Sequence, residues 1–86
     1  KYRSAGSIFR NPPGEMAAGY LIDKSGLKGL RIGDAEISHK HANFIINHGN
    51  ANSNDIAGLI NIIKNKVNEK FHINLELEIK LIGIKI

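Results

Sequence analysis

Ser7 is the residue near the start of the chain whose surroundings best suit chemistry. Gly6 before it permits close backbone approach, while Ile8 and Phe9 after it are apolar and predict burial. The prolines at positions 12 and 13 stop strand pairing, because proline has no backbone N–H and restricts the residue before it. The segment therefore predicts a hydroxyl held on a rigid element near a sheet edge. A hydroxyl in such a place is a candidate for chemistry, although a strand-end serine that satisfies backbone groups is the commoner case.

A second group of polar residues lies near the end of the chain. Apolar and mainly polar side chains alternate from residue 75 to residue 82, which predicts a strand. One face would carry Leu75, Leu77, Ile79 and Leu81, and the other Glu76, Glu78, Lys80 and Ile82. Glu78 would then lie between a carboxylate and an ammonium group. A carboxyl group donates a hydrogen bond only when protonated, a state that burial and a neighbouring carboxylate favour. A solvated strand face, whose Glu–Lys pair contributes less than about 1 kcal/mol, is the alternative.

Histidines at positions 39, 41 and 48 raise the question of a metal site. His39 and His41 are two residues apart and would share one face of a strand. A zinc site needs more ligands than such a pair supplies, and the chain contains no cysteine. We therefore expect no metal here.

The Gly-x-x-Gly pattern at residues 26–29 suggests a different function. KH domains use such a loop to clamp an RNA backbone. That loop lies between two helices, whereas residues 30–38 alternate like a strand. A small basic RNA-binding module is therefore the second hypothesis, and we expect Lys28 to be a helix-end charge or a phosphate contact.

Two helices are predicted from the spacing of apolar residues. Residues 14–24 have helical spacing, and Gly26 is placed to end that helix. Apolar residues recur every three or four positions over 56–71, which predicts a longer amphipathic helix of about four turns. The apolar face of the long helix must be buried against a sheet.

The remaining segments predict short strands and a loop. Alternation around Leu30, Ile32, Ala35 and Ile37, followed by the apolar run 44–46, predicts two or three strands. The polar segment 48–54 predicts a loop that ends in a helix cap. The expected fold is α+β, with a small mixed or antiparallel sheet packed against one long C-terminal helix and one shorter helix.

Composition limits the class of protein. With 86 residues the chain is one domain with one modest core. Its 12 Lys and Arg against 8 Asp and Glu give a net charge of +4, which suits a phosphate-bearing ligand or simple solubility and only weakly favours nucleic acid. No apolar run approaches the roughly 20 residues of a membrane span, and no signal-peptide pattern opens the chain. We expect a cytoplasmic protein with neither nucleic acid nor membrane as partner.

Four blocks in the sequence occur in the order of a known family. They are GSIFRNP at 6–12, AGYLID with SGLKG at 18–29, ISHKHANFIIN at 37–47 and LEIKLIG at 77–83. The chain resembles the UDP-N-acetylenolpyruvoylglucosamine reductase (MurB) family, flavoenzymes of peptidoglycan precursor synthesis. The four blocks span almost the whole chain, so the resemblance does not depend on a single motif.

The resemblance implies a role for each of several residues. Ser7 would donate the proton that completes reduction of an enol ether, and Glu78 would stabilise the enolic form as charge builds. Asn11 would contact substrate, Arg10 would lie near a phosphate or the sugar, and Tyr20 could stack on a uracil ring or simply pack. Lys28 would be the phosphate contact already considered. The stretch 41–44, which contains His41 and Asn43, would be scaffold or a wall of the substrate site.

The resemblance also implies what the chain needs from elsewhere. The family reduces UDP-N-acetylglucosamine enolpyruvate with FAD and NADPH, which are bound mainly by domains N-terminal to these blocks. The chain begins with Lys1 and is already in motif by Ser4, which predicts a C-terminal substrate-binding domain without its FAD-binding domains. We therefore expect this chain to be inactive by itself.

Two positions depart from the family pattern. Asp34 stands where a second glycine is usual, which questions the turn geometry there. Lys80 replaces the usual arginine and keeps the charge without the bidentate geometry.

Overall fold

The computed structural model describes the backbone of residues 3–78 and the side chains of residues 7–78. In this part the elements are β1 (Arg3–Ser7), α1 (Ala18–Lys24), β2 (Arg31–Ile32), β3 (Ala35–Ile37), β4 (Phe44–Asn47) and α2 (Ser53–Phe71). The strands form one antiparallel sheet in the order β1-β4-β3-β2. The predicted α+β fold, with one long and one short helix, is confirmed.

Helix α2 supplies much of the core. Its apolar face is buried as the periodicity predicts, with Ile56, Leu59, Ile60, Ile63 and Val67 all buried. The helix packs against β2, β3 and α1. It starts at Ser53, three residues before the predicted start, because Asn52 and Asp55 form a capping box. The Asn52 side chain accepts the Asp55 N–H at 2.9 Å, and the Asp55 carboxylate accepts the Asn52 N–H at 3.2 Å.

Helix α1 starts at Ala18, four residues after the predicted start at Gly14. Gly14 has a φ of 73°, which does not fit a right-handed helix, and Glu15 N–H donates to the Pro12 carbonyl at 3.2 Å to close a turn. The far end of the helix agrees with the prediction, since Gly26 follows it with a φ of 76°.

The β2–β3 hairpin turns at Gly33 and Asp34, where the sequence differs from the family pattern. Gly33 takes the left-handed conformation, with a φ of 56°. The Asp34 carboxylate accepts hydrogen bonds from the Asn50 backbone N–H at 2.9 Å and from the Arg31 guanidinium at 3.1 Å. These two bonds hold the pKa of the Asp34 carboxyl below its ordinary value. The aspartate therefore ties the hairpin to the loop that precedes α2.

The segment after α2 returns to the chain that follows Ser7. Phe9 and Leu77 form an antiparallel bridge, and the Glu78 N–H donates to the Ile8 carbonyl at 2.9 Å. In the same pairing, the Arg10 N–H donates to the carbonyl of residue 76 at 2.9 Å. Of the strand predicted over 75–82, the structure describes this short pairing, and residues 79–82, including Lys80, lie outside the described residues.

Candidate functional site

A cavity of about 360 Å³ opens beside the end of β1. Its walls come from the end of β1, the segment that leads to α1, α1 itself, the following loop and the segment 40–44. The lining residues are Ser7, Asn11, Gly19, Tyr20, Asp23, Lys28, Lys40, His41, Ala42, Asn43 and Phe44. Segments that are distant in sequence therefore meet at one place.

Four of the six residues that the sequence predicted for the site line this cavity. They are Ser7, Asn11, Tyr20 and Lys28. Arg10 lines a separate groove of about 190 Å³ together with Asn11 and the two prolines. Glu78 lines neither the cavity nor the groove, and its side chain is exposed within the part of the chain described.

A β-bulge sets the position of Ser7. Ser4 lies opposite Ile46 and Ser7 opposite Phe44, so two residues of β1 face one residue of β4 between these pairs. An extra residue of this kind reverses the alternation of side chains that follow it, and bulges are common beside active sites for that reason. Ser7, the last residue of β1, is half-buried.

The Ser7 hydroxyl is available to a ligand. It has no hydrogen-bond partner among the described residues, and no described side-chain oxygen or nitrogen is both buried and unpaired. The oxygen must therefore be accessible. A strand-end serine that satisfies backbone groups, the alternative considered from sequence, would have a bonded hydroxyl.

Asn11 has a structural role and a free donor. Its side-chain oxygen accepts the Ala18 N–H at 2.9 Å, which satisfies one of the unpaired N–H groups at the start of α1. The amide NH₂ of Asn11 has no partner among the described residues, so it can donate to a ligand in the cavity or in the adjoining groove.

The cations of the cavity differ in their environment. The Lys28 Nζ lies 3.5 Å from an oxygen of Asp23. Lys40 has no ion-pair partner in the described part of the chain. Tyr20 is 45% exposed, and the Lys24 Nζ lies 5.6 Å from the centre of its ring. Positive groups, amide donors and an exposed aromatic ring together suit an anionic ligand that carries a flat ring.

Sequence reasoning missed Asp23 and Lys40 as lining residues. Asp23 follows the pattern of a helix residue, and Lys40 lies in the block 37–47, where the resemblance assigns it no role. The segment 41–44, which the resemblance assigned to scaffold or wall, does line the cavity. The only sequence signal for Lys40 was its place beside that segment.

The histidines group around a carboxylate. His48 Nε2 lies 2.5 Å and His39 Nε2 3.3 Å from the two oxygens of Glu36. Within the described residues, no group of three or more possible ligands is placed to hold a metal ion.

The Gly-x-x-Gly loop does not have the surroundings of a KH loop. Helix α1 precedes it, but strand β2 follows it at Arg31, where a second helix would be needed.

None of the helices in the described part is long and apolar enough to cross a membrane.

Comparison with known proteins points to a single family. A family profile described as the C-terminal domain of UDP-N-acetylenolpyruvoylglucosamine reductase matches residues 1–82. The reductase of Chloroherpeton thalassium is 58% identical over 85 residues, and that of Clostridium tetani 52% over 83 residues. These matches cover 93% and 96% of this chain but 27% of either relative. The crystal structure of the Thermus caldophilus reductase superposes with a TM-score of 0.71 at 51% identity, over 90% of this chain and 26% of that one.

Proposed function

The chain belongs to the C-terminal domain family of UDP-N-acetylenolpyruvoylglucosamine reductases, and we propose that it is the substrate-binding domain of such an enzyme. In that role it binds the UDP-sugar enolpyruvyl ether, and Ser7 donates a proton to it. The whole enzyme would act in peptidoglycan precursor synthesis in the cytoplasm.

Residues from separate blocks of the sequence meet at this cavity. Ser7, Asn11, Tyr20 and Lys28 come from the blocks 6–12 and 18–29, and residues 40–44 come from the block 37–47, yet all of them line one cavity. Its volume of about 360 Å³ is within the range of small-molecule sites. Its unpaired hydroxyl supports a proton donor, and its lysines support a ligand with phosphate groups.

Ser7 would supply its proton after a hydride has reached the substrate. A hydride adds to one carbon of the enol ether double bond, and the electron pair moves to the carbon that bears the carboxylate. The Ser7 O–H bond breaks as its proton transfers to that carbon, and water then restores the hydroxyl. A serine is too weak an acid for most substrates at neutral pH, but a carbanion or enolate is basic enough.

Other residues would bind and orient the substrate. The Asn11 amide and the Lys28 and Lys40 ammonium groups suit the diphosphate, while the exposed Tyr20 ring can stack on the uracil. Arg10 would contact a part of the substrate that extends into the groove beside Asn11.

Glu78 would act beside the substrate carboxylate. Glu78 is close to Ser7 in the fold, because its backbone N–H donates to the carbonyl of Ile8, the residue after Ser7. From this position its carboxyl group would reach the substrate beside Ser7. Glu78→Gln is expected to slow the proton-transfer step less than loss of Ser7 does, because an amide still donates a hydrogen bond.

The cavity does not fit a flavin. Its volume of about 360 Å³ is small for a flavin dinucleotide. FAD and NADPH would be bound mainly by the FAD-binding domains outside this chain, where FAD supplies the hydride. The 86 residues alone are therefore expected to show no turnover when FAD and NADPH are added.

Substitution of Ser7 in the full-length reductase tests the proposal. Ser7→Ala should slow oxidation of the reduced enzyme by substrate by about 100-fold or more, the usual size of a general-acid effect. Reduction of the flavin by NADPH should be nearly unchanged, because that half-reaction needs no proton from Ser7. Stopped-flow absorbance measures the two half-reactions separately.

Ser25→Ala is the matched control for this experiment. Its hydroxyl donates to the Leu21 carbonyl at 2.8 Å, and it does not line the cavity. Both half-reactions should stay near normal in this variant. If Ser7→Ala slowed both half-reactions equally, Ser7 would be structural and the proposed proton transfer would be wrong.

A further inference from the structure

We propose that Asn43 is a positioning residue that fixes the Ser7 hydroxyl by holding the backbone of Phe9. The inference rests on the proposed function, since it concerns the delivery of the Ser7 proton. Asn43 lines the same cavity as Ser7, but its carboxamide is hydrogen-bonded to the backbone of Phe9.

The Asn43 carboxamide forms hydrogen bonds with both backbone groups of Phe9, and we call this pair of bonds the clamp. Its Oδ1 accepts the Phe9 N–H at 3.0 Å, and its Nδ2 donates to the Phe9 carbonyl at 2.8 Å. The Asn43 backbone carbonyl also accepts the Ile8 N–H at 2.9 Å. A carboxamide offers a donor and an acceptor side by side, as a neighbouring strand does.

The clamp is needed because the regular ladder ends at Ser7. Strand β4 begins at Phe44, the partner of Ser7, so no residue of β4 remains to pair with the two residues that follow. Ile8 and Phe9 are nevertheless buried, where unpaired backbone groups are costly. Asn43 continues the pairing by two residues, with its backbone carbonyl at Ile8 and its side chain at Phe9.

The position of Asn43 is itself well determined. The Ser38 hydroxyl oxygen accepts the N–H groups of Lys40 and His41, each at 3.1 Å, and so fixes the turn that leads to Asn43. On its other side the Asn43 Cβ lies 3.8 Å from where a Cβ on Gly19 of α1 would be. The clamp thus connects a fixed turn to the segment that carries Ser7.

The other side of the Ser7 segment is held by backbone alone. The Glu78 N–H and the carbonyl of residue 76 bond to Ile8 and Arg10, as described above. Asn43 is therefore the side chain whose substitution can release the segment from one side without removing a strand. A displacement of about 1 Å at a reacting group can lower a rate by up to about 100-fold.

Asn43→Leu in the full-length reductase tests the inference. Leucine keeps the size of the side chain and removes both hydrogen bonds. Oxidation of the reduced enzyme by substrate should slow by about 10-fold to 100-fold. Reduction by NADPH and the Kd of the substrate should each change by less than about threefold, because the clamp orients Ser7 and leaves the other binding groups in place.

Asn47→Leu is the matched control. Asn47 lies at the other end of β4, and its Oδ1 accepts the N–H groups of Gly49 and Ala51, which do not line the cavity. The control also loses two side-chain-to-backbone bonds, but neither half-reaction should slow. Hydrogen exchange measured by mass spectrometry should rise at residues 8–10 in Asn43→Leu only.

A double variant shows whether Asn43→Leu slows the reaction through Ser7 or through a wider change in the structure. If Asn43 acts through Ser7, then Ser7→Ala combined with Asn43→Leu should be no slower than Ser7→Ala alone. An additional slowing of tenfold or so in the double variant would overturn the inference, and so would a normal rate of substrate reduction in Asn43→Leu.

Asn43→Asp is the second variant at this position. If Asn43→Leu does not fold, Asn43→Asp replaces it, because the carboxylate keeps the acceptor for the Phe9 N–H and loses the donor to the Phe9 carbonyl. Asn43→Asp should then show a smaller slowing of the same step, and an unchanged rate would overturn the inference.

The Ser7 and Asn43 variants test different proposals. If Ser7→Ala itself were as fast as the natural enzyme, the proposed function would fail. If only the Asn43 variants were normal, the positioning inference alone would fail.

Discussion

Single residues decide what the cavity can do. Ser7, Asn11, Tyr20 and Lys28 were predicted from sequence because each lies in a short local block. The role of Asn43 was not predictable in this way, since its bonds to Phe9 join residues 34 positions apart. Local patterning identifies a polar residue, but only the fold shows which backbone group lies within its reach.

The charge of Asp34 should make the stability of the chain depend on pH. Its pKa is lowered in the folded chain, chiefly by the hydrogen bond from Asn50 and also by Arg31. A lowered folded-state pKa stabilises the fold above the unfolded-state pKa of about 3.9, and this contribution is lost as the pH falls through the folded value. Asp34→Asn should therefore be less stable than the natural chain at neutral pH.

Urea unfolding at several pH values measures this difference. The two proteins should converge in free energy of unfolding as the pH falls below about 4. A difference that stayed constant down to the lowest pH at which both fold would show that the Asp34 charge does not contribute.

The sequence predicted which helices and strands exist better than it predicted where they begin and end. The apolar periodicity identified α2, but its first residues are polar and depend on the capping box at Asn52 and Asp55. The start of α1 was wrong by four residues because helical spacing does not reveal the left-handed conformation of Gly14. The bulge in β1 was also unpredictable, since it depends on the register with β4.

A pair of glycines tests the link between the hairpin and α2. A Cβ at Gly33 would lie 2.5 Å from Asp55 Oδ2, the oxygen that accepts the Asn52 N–H in the capping box. Gly33→Ala should therefore lose the cap, about 1 kcal/mol, in addition to about 1–2 kcal/mol for a left-handed alanine.

Gly26→Ala is the matched variant for this measurement. Gly26 has a φ of 76° with nothing within 4 Å of the added Cβ, so it should lose only the conformational part. Urea unfolding of both variants gives the comparison. Equal losses in free energy of unfolding would mean that the carboxylate of Asp55 moves aside without cost.

The chain spans about a quarter of the length of the relatives that it matches. The fold class followed from patterning because α2 has one apolar face and the strands are short and alternate. The cavity did not follow from patterning, because it forms where the end of β1, α1 and the segment 40–44 meet. Its lysines and the net charge of +4 favour an anionic ligand over a neutral one.

An NMR titration of the 86-residue chain with UDP-N-acetylglucosamine would show whether this cavity binds a uridine diphosphate sugar, as we propose. We expect saturable shifts at Ser7, Asn11, Tyr20 and Lys28, and none at Lys64 and Lys66 on the outer face of α2. Shifts confined to a surface away from the cavity would mean that the proposed binding site is wrong. So would shifts at residues 26–29 with a short RNA at the same ionic strength and no response to the sugar nucleotide.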